Sequence, residues 1–210
     1  MIKPFFLIPL ATLALAGCGG SSAERVSAPA STAKPACPKA WAPGWKRLAN
    51  EVHALVYCPA WMPHPLDALI GGRYANGRSV DKDRSYLISF AWLERDVSGI
   101  IGEVHVNFRG YPGRAALPVC DDLLRVKGRL VHKAIPCFAD PRGTKRIGAV
   151  RATVYTANQG ADAWHVLYAW RQNGSLYSIS EHVAPPYSYG QVIRNLDRLL
   201  RSLVAIKPSA

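Results

Sequence analysis

Trp164-His165-Val166-Leu167-Tyr168-Ala169-Trp170-Arg171-Gln172-Asn173-Gly174-Ser175-Leu176-Tyr177-Ser178-Ile179-Ser180-Glu181-His182-Val183 decides the fold. Two runs rich in aromatic and apolar residues flank Asn173-Gly174. That pair accepts the positive φ that both central positions of a type I′ turn require, so the stretch predicts a two-residue β-hairpin. The turn then fixes the register. Trp170 faces Tyr177, Tyr168 faces Ile179, Val166 faces Glu181 and Trp164 faces Val183. This face is mostly aromatic and apolar and is expected to meet the core. The other face pairs Arg171 with Leu176, Leu167 with Ser180, and His165 with His182.

A helix is expected next. Ser188 and Gln191 have capping-box spacing. Val192, Ile193, Leu196, Leu199, Leu200, Leu203 and Val204 recur at helical spacing, with Arg194, Asn195, Arg198, Arg201 and Ser202 opposite. Such a stripe beside an aromatic sheet belongs on that sheet; a membrane-surface helix is the alternative. Upstream, Tyr86 to Leu93 alternates as a strand. Glu103 to Arg109 alternates more cleanly, with Val104, Val106 and Phe108 on one side and Glu103, His105, Asn107 and Arg109 on the other. Leu55 to Cys58, Leu130 to Ile135 and Ile147 to Tyr155 are further strand candidates, and Trp45 to His53 a short helix. The predicted fold is α+β: an antiparallel sheet of about five or six strands with the amphipathic C-terminal helix packed on one face. Six Trp and nine Tyr make aromatic packing prominent in that core.

The N-terminus carries a different signal. Met1-Ile2-Lys3 is basic, Phe5 to about Ala16 is apolar but broken by Pro9, and Leu15-Ala16-Gly17-Cys18 follows. The apolar run is too short for a spanning helix, which needs roughly 20 residues, and suits a processed export signal. Leu15-Ala16-Gly17-Cys18 resembles the lipobox of bacterial lipoproteins. That resemblance implies lipid, such as palmitate, on Cys18 and an extracytoplasmic protein tethered to the cell membrane. Three parts are expected: a signal peptide over 1–17, the lipidated cysteine and a flexible Gly/Ser/Ala linker over 18–36, and one α+β domain over 37–210.

Cys37, Cys58, Cys120 and Cys137 remain. An exported location permits disulfides, and four cysteines allow three connectivities. The local pairs Cys37–Cys58 and Cys120–Cys137 are favoured, each closing a loop that contributes about 3 kcal/mol in the chain-entropy picture. No Cys-x-x-Cys spacing suggests zinc.

The body from Val56-Tyr57-Cys58-Pro59-Ala60-Trp61-Met62-Pro63, through Tyr168 to Tyr177, to a helix ending near Ser202-Leu203 resembles the small extracytoplasmic domains of unknown function on Gram-positive and actinobacterial lipoproteins and on some anti-sigma factors. The resemblance implies a fold type and no site.

No catalytic motif stands out. Ser79-x-x-Lys82 lacks its helix and partner motifs, and Asp81-x-Asp83 lacks the rest of a calcium loop. No Gly-x-Ser-x-Gly, His-Glu-x-x-His or phosphate loop occurs. No catalytic residue and no cofactor are expected. His165 and His182, opposed across the hairpin, could hold a divalent metal or form a pH-sensitive latch; plain hydrogen-bonded surface histidines are the alternative. His105 is the only other strand histidine on a polar face.

Charge is the broader lead. The formal net charge is +12. Arg125, Lys127, Arg129, Lys133, Arg142, Lys145, Arg146 and Arg151 stand between positions 125 and 151 against Asp140 alone. Outside the cytoplasm the expected anionic partners are lipid headgroups, wall polymers or glycans, with no nucleic acid. The expected function is therefore a non-catalytic binding or accessory module of the cell envelope, associated with the membrane through its lipid and with an envelope protein or anionic polymer. Recognition of an anionic polymer, glycan or lipid by the basic surface and an envelope hydrolase are the alternatives.

Overall fold

In a computed structural model of the protein, which describes residues 34–70, 72, 76–96 and 99–209, Asn173 and Gly174 take φ of 50° and 72°. They close the expected hairpin in the expected register, from Ser175 opposite Gln172 to His182 opposite His165. The signal segment, Cys18 and the linker up to residue 33 lie outside the described residues.

In chain order the elements are α1 (Ala42–Val52), β1 (Val56–Pro59), a 3-10 turn at Leu66–Leu69, β2 (Gly77–Val80), β3 (Tyr86–Asp96), β4 (Gly99–Tyr111), β5 (Val119–Val126), β6 (Arg129–Pro136), β7 (Phe138–Ile147), β8 (Val150–Asn158), a 3-10 turn at Gly160–Asp162, β9 (His165–Gln172), β10 (Ser175–His182), α2 (Tyr189–Ser202) and β11 (Leu203–Ile206). Lys34–Ala210 forms one compact unit. Its main sheet is antiparallel and seven-stranded, in the order β2-β3-β4-β10-β9-β8-β7. β1 pairs with β11, and β5 pairs with β6 as a separate ribbon.

Alternation in the strands creates the core face. Ile88, Phe90, Val106, Phe108, Tyr168, Trp170, Tyr177 and Ile179 are buried with Trp45, Leu48 and Val52 of α1 and Val192, Leu196, Leu199 and Leu200 of α2. Each such aliphatic side chain contributes about 1.5–3 kcal/mol. Gln191 Oε1 accepts a hydrogen bond from the Ser188 N–H at 2.9 Å, anchoring the first turn of α2 as the spacing predicts. The stripe of α2 is thus committed to the core and not to a membrane surface, but it ends at Ser202: Leu203 and Val204, expected on the helix, belong to β11 and pair with Pro59 and Cys58 of β1.

Several expectations need correction. The main sheet has seven strands: the candidates at Leu55 to Cys58 and Leu130 to Ile135 pair outside it, whereas β2 and β7, not expected as strands, join it. The candidate at Ile147 to Tyr155 spans the end of β7 at Ile147, a turn through Gly148 with φ 59°, and the start of β8 at Val150. The apolar residues on both sides of that tight turn imitate a continuous run. Trp164 does not join the core; it takes φ 63° before β9 begins and is 81% exposed. The second face of the hairpin is not a solvent face. β10 lies between β4 and β9 in the middle of the sheet, and Leu167, Ala169 and Leu176 pack there with Tyr111, Cys137, Phe138 and Tyr155 in a second cluster.

Both favoured disulfides form, Cys37–Cys58 and Cys120–Cys137. The first joins the segment before α1 to β1. The second closes the base of the β5–β6 ribbon onto the second cluster, where Cys137 is buried and Cys120 packs against it. No helix among the described residues is long and apolar enough to cross a membrane.

Candidate functional site

The second face of the sheet gathers the polar residues that the alternation of β4 sets on one side. Glu103, His105, Asn107 and Arg109 project from β4, Ser180 and His182 from β10, His165 from β9 and Ser89 from β3. The 3-10 turn at Gly160–Asp162 then places Asp162 against them, almost fully buried. A buried carboxylate must be satisfied by donors. Arg109 Nε donates to Asp162 Oδ2 at 2.6 Å. Ser180 Oγ donates to Asp162 Oδ1 at 2.5 Å and Asn107 Nδ2 at 3.1 Å. Asn107 Nδ2 also donates to the Ala161 carbonyl at 2.7 Å, tying the turn to β4.

The three histidines meet here. The His165 ring lies 5.2 Å from His182, stacked, and 5.0 Å from His105, edge-on. His165 is buried, and its Nδ1 lies 2.9 Å from Ser180 Oγ. Since the Ser180 hydroxyl proton goes to Asp162, His165 Nδ1–H is the donor, which fixes the neutral tautomer. Burial holds the His165 pKa well below the usual imidazole range, against the pull of Asp162. Burial likewise lowers His105, whose Nε2 bonds Ser89 Oγ at 2.7 Å. Glu103 bridges the other two: Oε1 is 3.4 Å from His105 Nδ1 and Oε2 is 3.0 Å from His182 Nδ1, the latter without hydrogen-bond alignment.

The predicted opposition of His165 and His182 is therefore real, as a stacked pair in which His165 is buried and His182 half-buried. No group of three or more His, Cys, Asp or Glu among the described residues is arranged to hold a metal ion. Ser180, His165 and Asp162 have the residue types of a hydrolytic triad in the wrong arrangement. Ser180 is 1% exposed and gives its proton to the carboxylate rather than to the imidazole. A nucleophile must hand its proton to a base and reach substrate, and Ser180 does neither. Ser79 lies on edge strand β2 and Lys82 in the exposed turn after it, so their spacing builds no site.

Beside the network is a cavity of about 260 Å³ lined by Ser79, Asp81, Asp83, Ser85, Arg109, Tyr111, Arg114 and the ribbon base at Pro118 and Val119. Its charges are answered internally. Arg114 Nη2 donates to Asp83 Oδ2 at 2.6 Å, Ser85 Oγ to Asp83 Oδ1 at 2.6 Å, and Arg109 is held by Asp162. Hydrogen bonds from Ser85 lower the Asp83 pKa. Burial pushes the Tyr111 phenol up to about 12.

The chain matches no family model, no curated protein and no solved structure.

The basic run divides. Arg125, Lys127, Arg129 and Lys133 are all exposed on the β5–β6 ribbon. Lys145, Arg146 and Arg151 lie near the opposite end of β7 and on β8, with Arg146 facing Arg151. Lys145 is already engaged: its Nζ donates to Asp197 Oδ1 of α2 at 2.9 Å and sits 5.5 Å from the centre of the Tyr168 ring. Sequence proximity thus overstates the cluster: the ribbon carries one exposed basic group, and Arg146 with Arg151, also exposed, forms another. Asp162, Ser180 and Ser89 were not singled out by sequence reasoning. Asp162 sits in a short turn with no periodicity, and only the fold brings it to β4.

On the core face, Glu181 is fully buried opposite Val166 and Val106. Asn195 Nδ2 donates to its Oε1 at 2.8 Å, and Oε2 has no hydrogen-bond partner. Burial raises its pKa from the ordinary 4.5 to about 8.

Proposed function

We propose that this chain is a membrane-anchored extracytoplasmic lipoprotein, lipidated at Cys18, that works as a non-catalytic binding or accessory module of the cell envelope. The observation that carries the non-catalytic reading is the closed network around Asp162. The Asp162 carboxylate is answered by Arg109, Ser180 and Asn107, and its serine is buried. Such networks specify packing. Two disulfides support an oxidising compartment, and the lipobox-like Leu15-Ala16-Gly17-Cys18 supports the tether.

A second reading has its own support: recognition of an anionic polymer, glycan or lipid. Four basic side chains collect on one exposed ribbon: Lys133 stands opposite Asp122, and Arg125, Lys127 and Arg129 lie at the tip, away from the ribbon's two acids.

Cross-linking in intact cells, followed by purification under denaturing conditions, tests the proposal. We expect an envelope protein, wall polymer or lipid to be recovered with the wild-type chain and lost or greatly reduced with Cys18→Ser. Recovery of cytoplasmic partners only, or turnover of envelope polymer by the purified protein, would overturn it.

A further inference from the structure

We propose that the β5–β6 ribbon is a membrane-docking element that seats its tip in the headgroup region of an anionic phospholipid bilayer. The proposal rests on reading the basic ribbon as an anion-binding surface, and narrows that surface to one partner.

The fold itself does not need the ribbon. Beyond the Cys120–Cys137 disulfide its strands pair only with each other, from Val119 opposite Pro136 to Val126 opposite Arg129. A lone two-stranded ribbon is marginal in water. The disulfide holds its base, and Lys127 and Gly128, with φ of 49° and 79°, close its tip. From Cys120 to the turn it reaches about 23 Å of extended chain.

Charge is graded along this length. Asp121 and Asp122 sit near the disulfide, where His132 Nδ1 lies 2.7 Å from Asp121 Oδ2. Arg125, Lys127 and Arg129 surround the tip, and none makes an ion pair among the described residues. The same tip is apolar where water should meet polar groups. Leu123 is 49% exposed, Val126 48% and Leu130 57%. Val126 flanks the turn on one face of the ribbon; Leu123 and Leu130 lie on the other.

This pairing of features selects the occupant. A soluble polyanion would neutralise the three cations but leave Leu123, Val126 and Leu130 in water. A bilayer interface takes both, with headgroup phosphates on the guanidinium forks and the aliphatic side chains among the upper acyl segments. Each cation near an anionic leaflet multiplies partitioning by about fivefold at low salt.

The test uses the compact unit starting at Lys34, with both disulfides intact, so that lipid on Cys18 plays no part. Co-sedimentation is measured with vesicles of phosphatidylcholine alone and of phosphatidylcholine with phosphatidylglycerol, and binding to soluble polyphosphate is measured in parallel. One variant carries Lys127→Glu and Arg129→Glu; the other carries Val126→Ser and Leu130→Ser. These side chains are exposed, so unchanged circular dichroism and unfolding midpoint confirm that both variants are folded. We expect binding to the anionic vesicles only, about 25-fold or more weaker in the charge variant and at least about tenfold weaker in the apolar variant. If the apolar variant binds vesicles as the parent does, or polyphosphate binds and vesicles do not, the bilayer proposal fails while the anion-binding surface stands. If the parent binds neither, both fail.

Discussion

The stability of Glu181→Gln relative to wild type should rise steadily as pH is raised from 5 towards 8. Glu181 lies under α2 with one oxygen on Asn195 and the other without a partner. Burial raises its pKa from 4.5 to about 8. With the folded value above the unfolded one, the native chain keeps its proton while the unfolded chain loses it. Stability is therefore undiminished below about pH 4.5 and falls as pH rises towards 8. Linkage over those two values gives a penalty of about 3 kcal/mol at pH 7 and under about 1 kcal/mol at pH 5. Glutamine keeps the oxygen that Asn195 uses and cannot ionise. It also leaves a buried N–H unpaired, but that cost is the same at every pH. Urea unfolding of both proteins at pH 4, 5, 6, 7 and 8 isolates the effect, because groups common to both cancel. The stability of Glu181→Gln relative to wild type should rise by about 2–3 kcal/mol between pH 5 and 7. A pH-independent difference would refute the neutral buried carboxyl.

The second face of the sheet should show the opposite slope. With His165 lowered by burial, the unfolded chain binds a proton that the folded chain refuses, so stability is lost as pH falls below the ordinary imidazole range. His165→Gln should flatten that acid limb in the same titration. Asp162→Ala should cost about 3–5 kcal/mol, because it strands Arg109 and frees two further donors; denaturant midpoints check this. Leu196→Ala, at a fully buried position on α2, should cost about 2–5 kcal/mol by the same measurement. Removing the second disulfide with Cys120→Ser and Cys137→Ser should cost about 3 kcal/mol and speed amide exchange in β5 and β6 before the main sheet.

Much of this was legible because period-2 alternation and turn chemistry are local. Asn173-Gly174 fixed the register of β9 and β10, and with it the contact of His165 with His182 and the place of Glu181 on the apolar face. Glu103, His105, Asn107 and Arg109 were rightly set on one side of β4. What alternation does not carry is what covers that side. The turn bearing Asp162 and the β10 position inside the sheet are long-range facts, and they turn a polar face into a buried network. The Gly148 turn was hidden by apolar residues on both sides, and the basic run between Arg125 and Arg151 bends away from itself at the Cys137 disulfide.

Intact-mass and N-terminal peptide analysis of the protein isolated from its own cells tests the proposed role most directly. We expect a chain in the membrane fraction that begins at a lipid-modified Cys18 and has no free thiol among Cys37, Cys58, Cys120 and Cys137. A soluble chain that retains Met1 with those four cysteines reduced would contradict the assignment to the envelope.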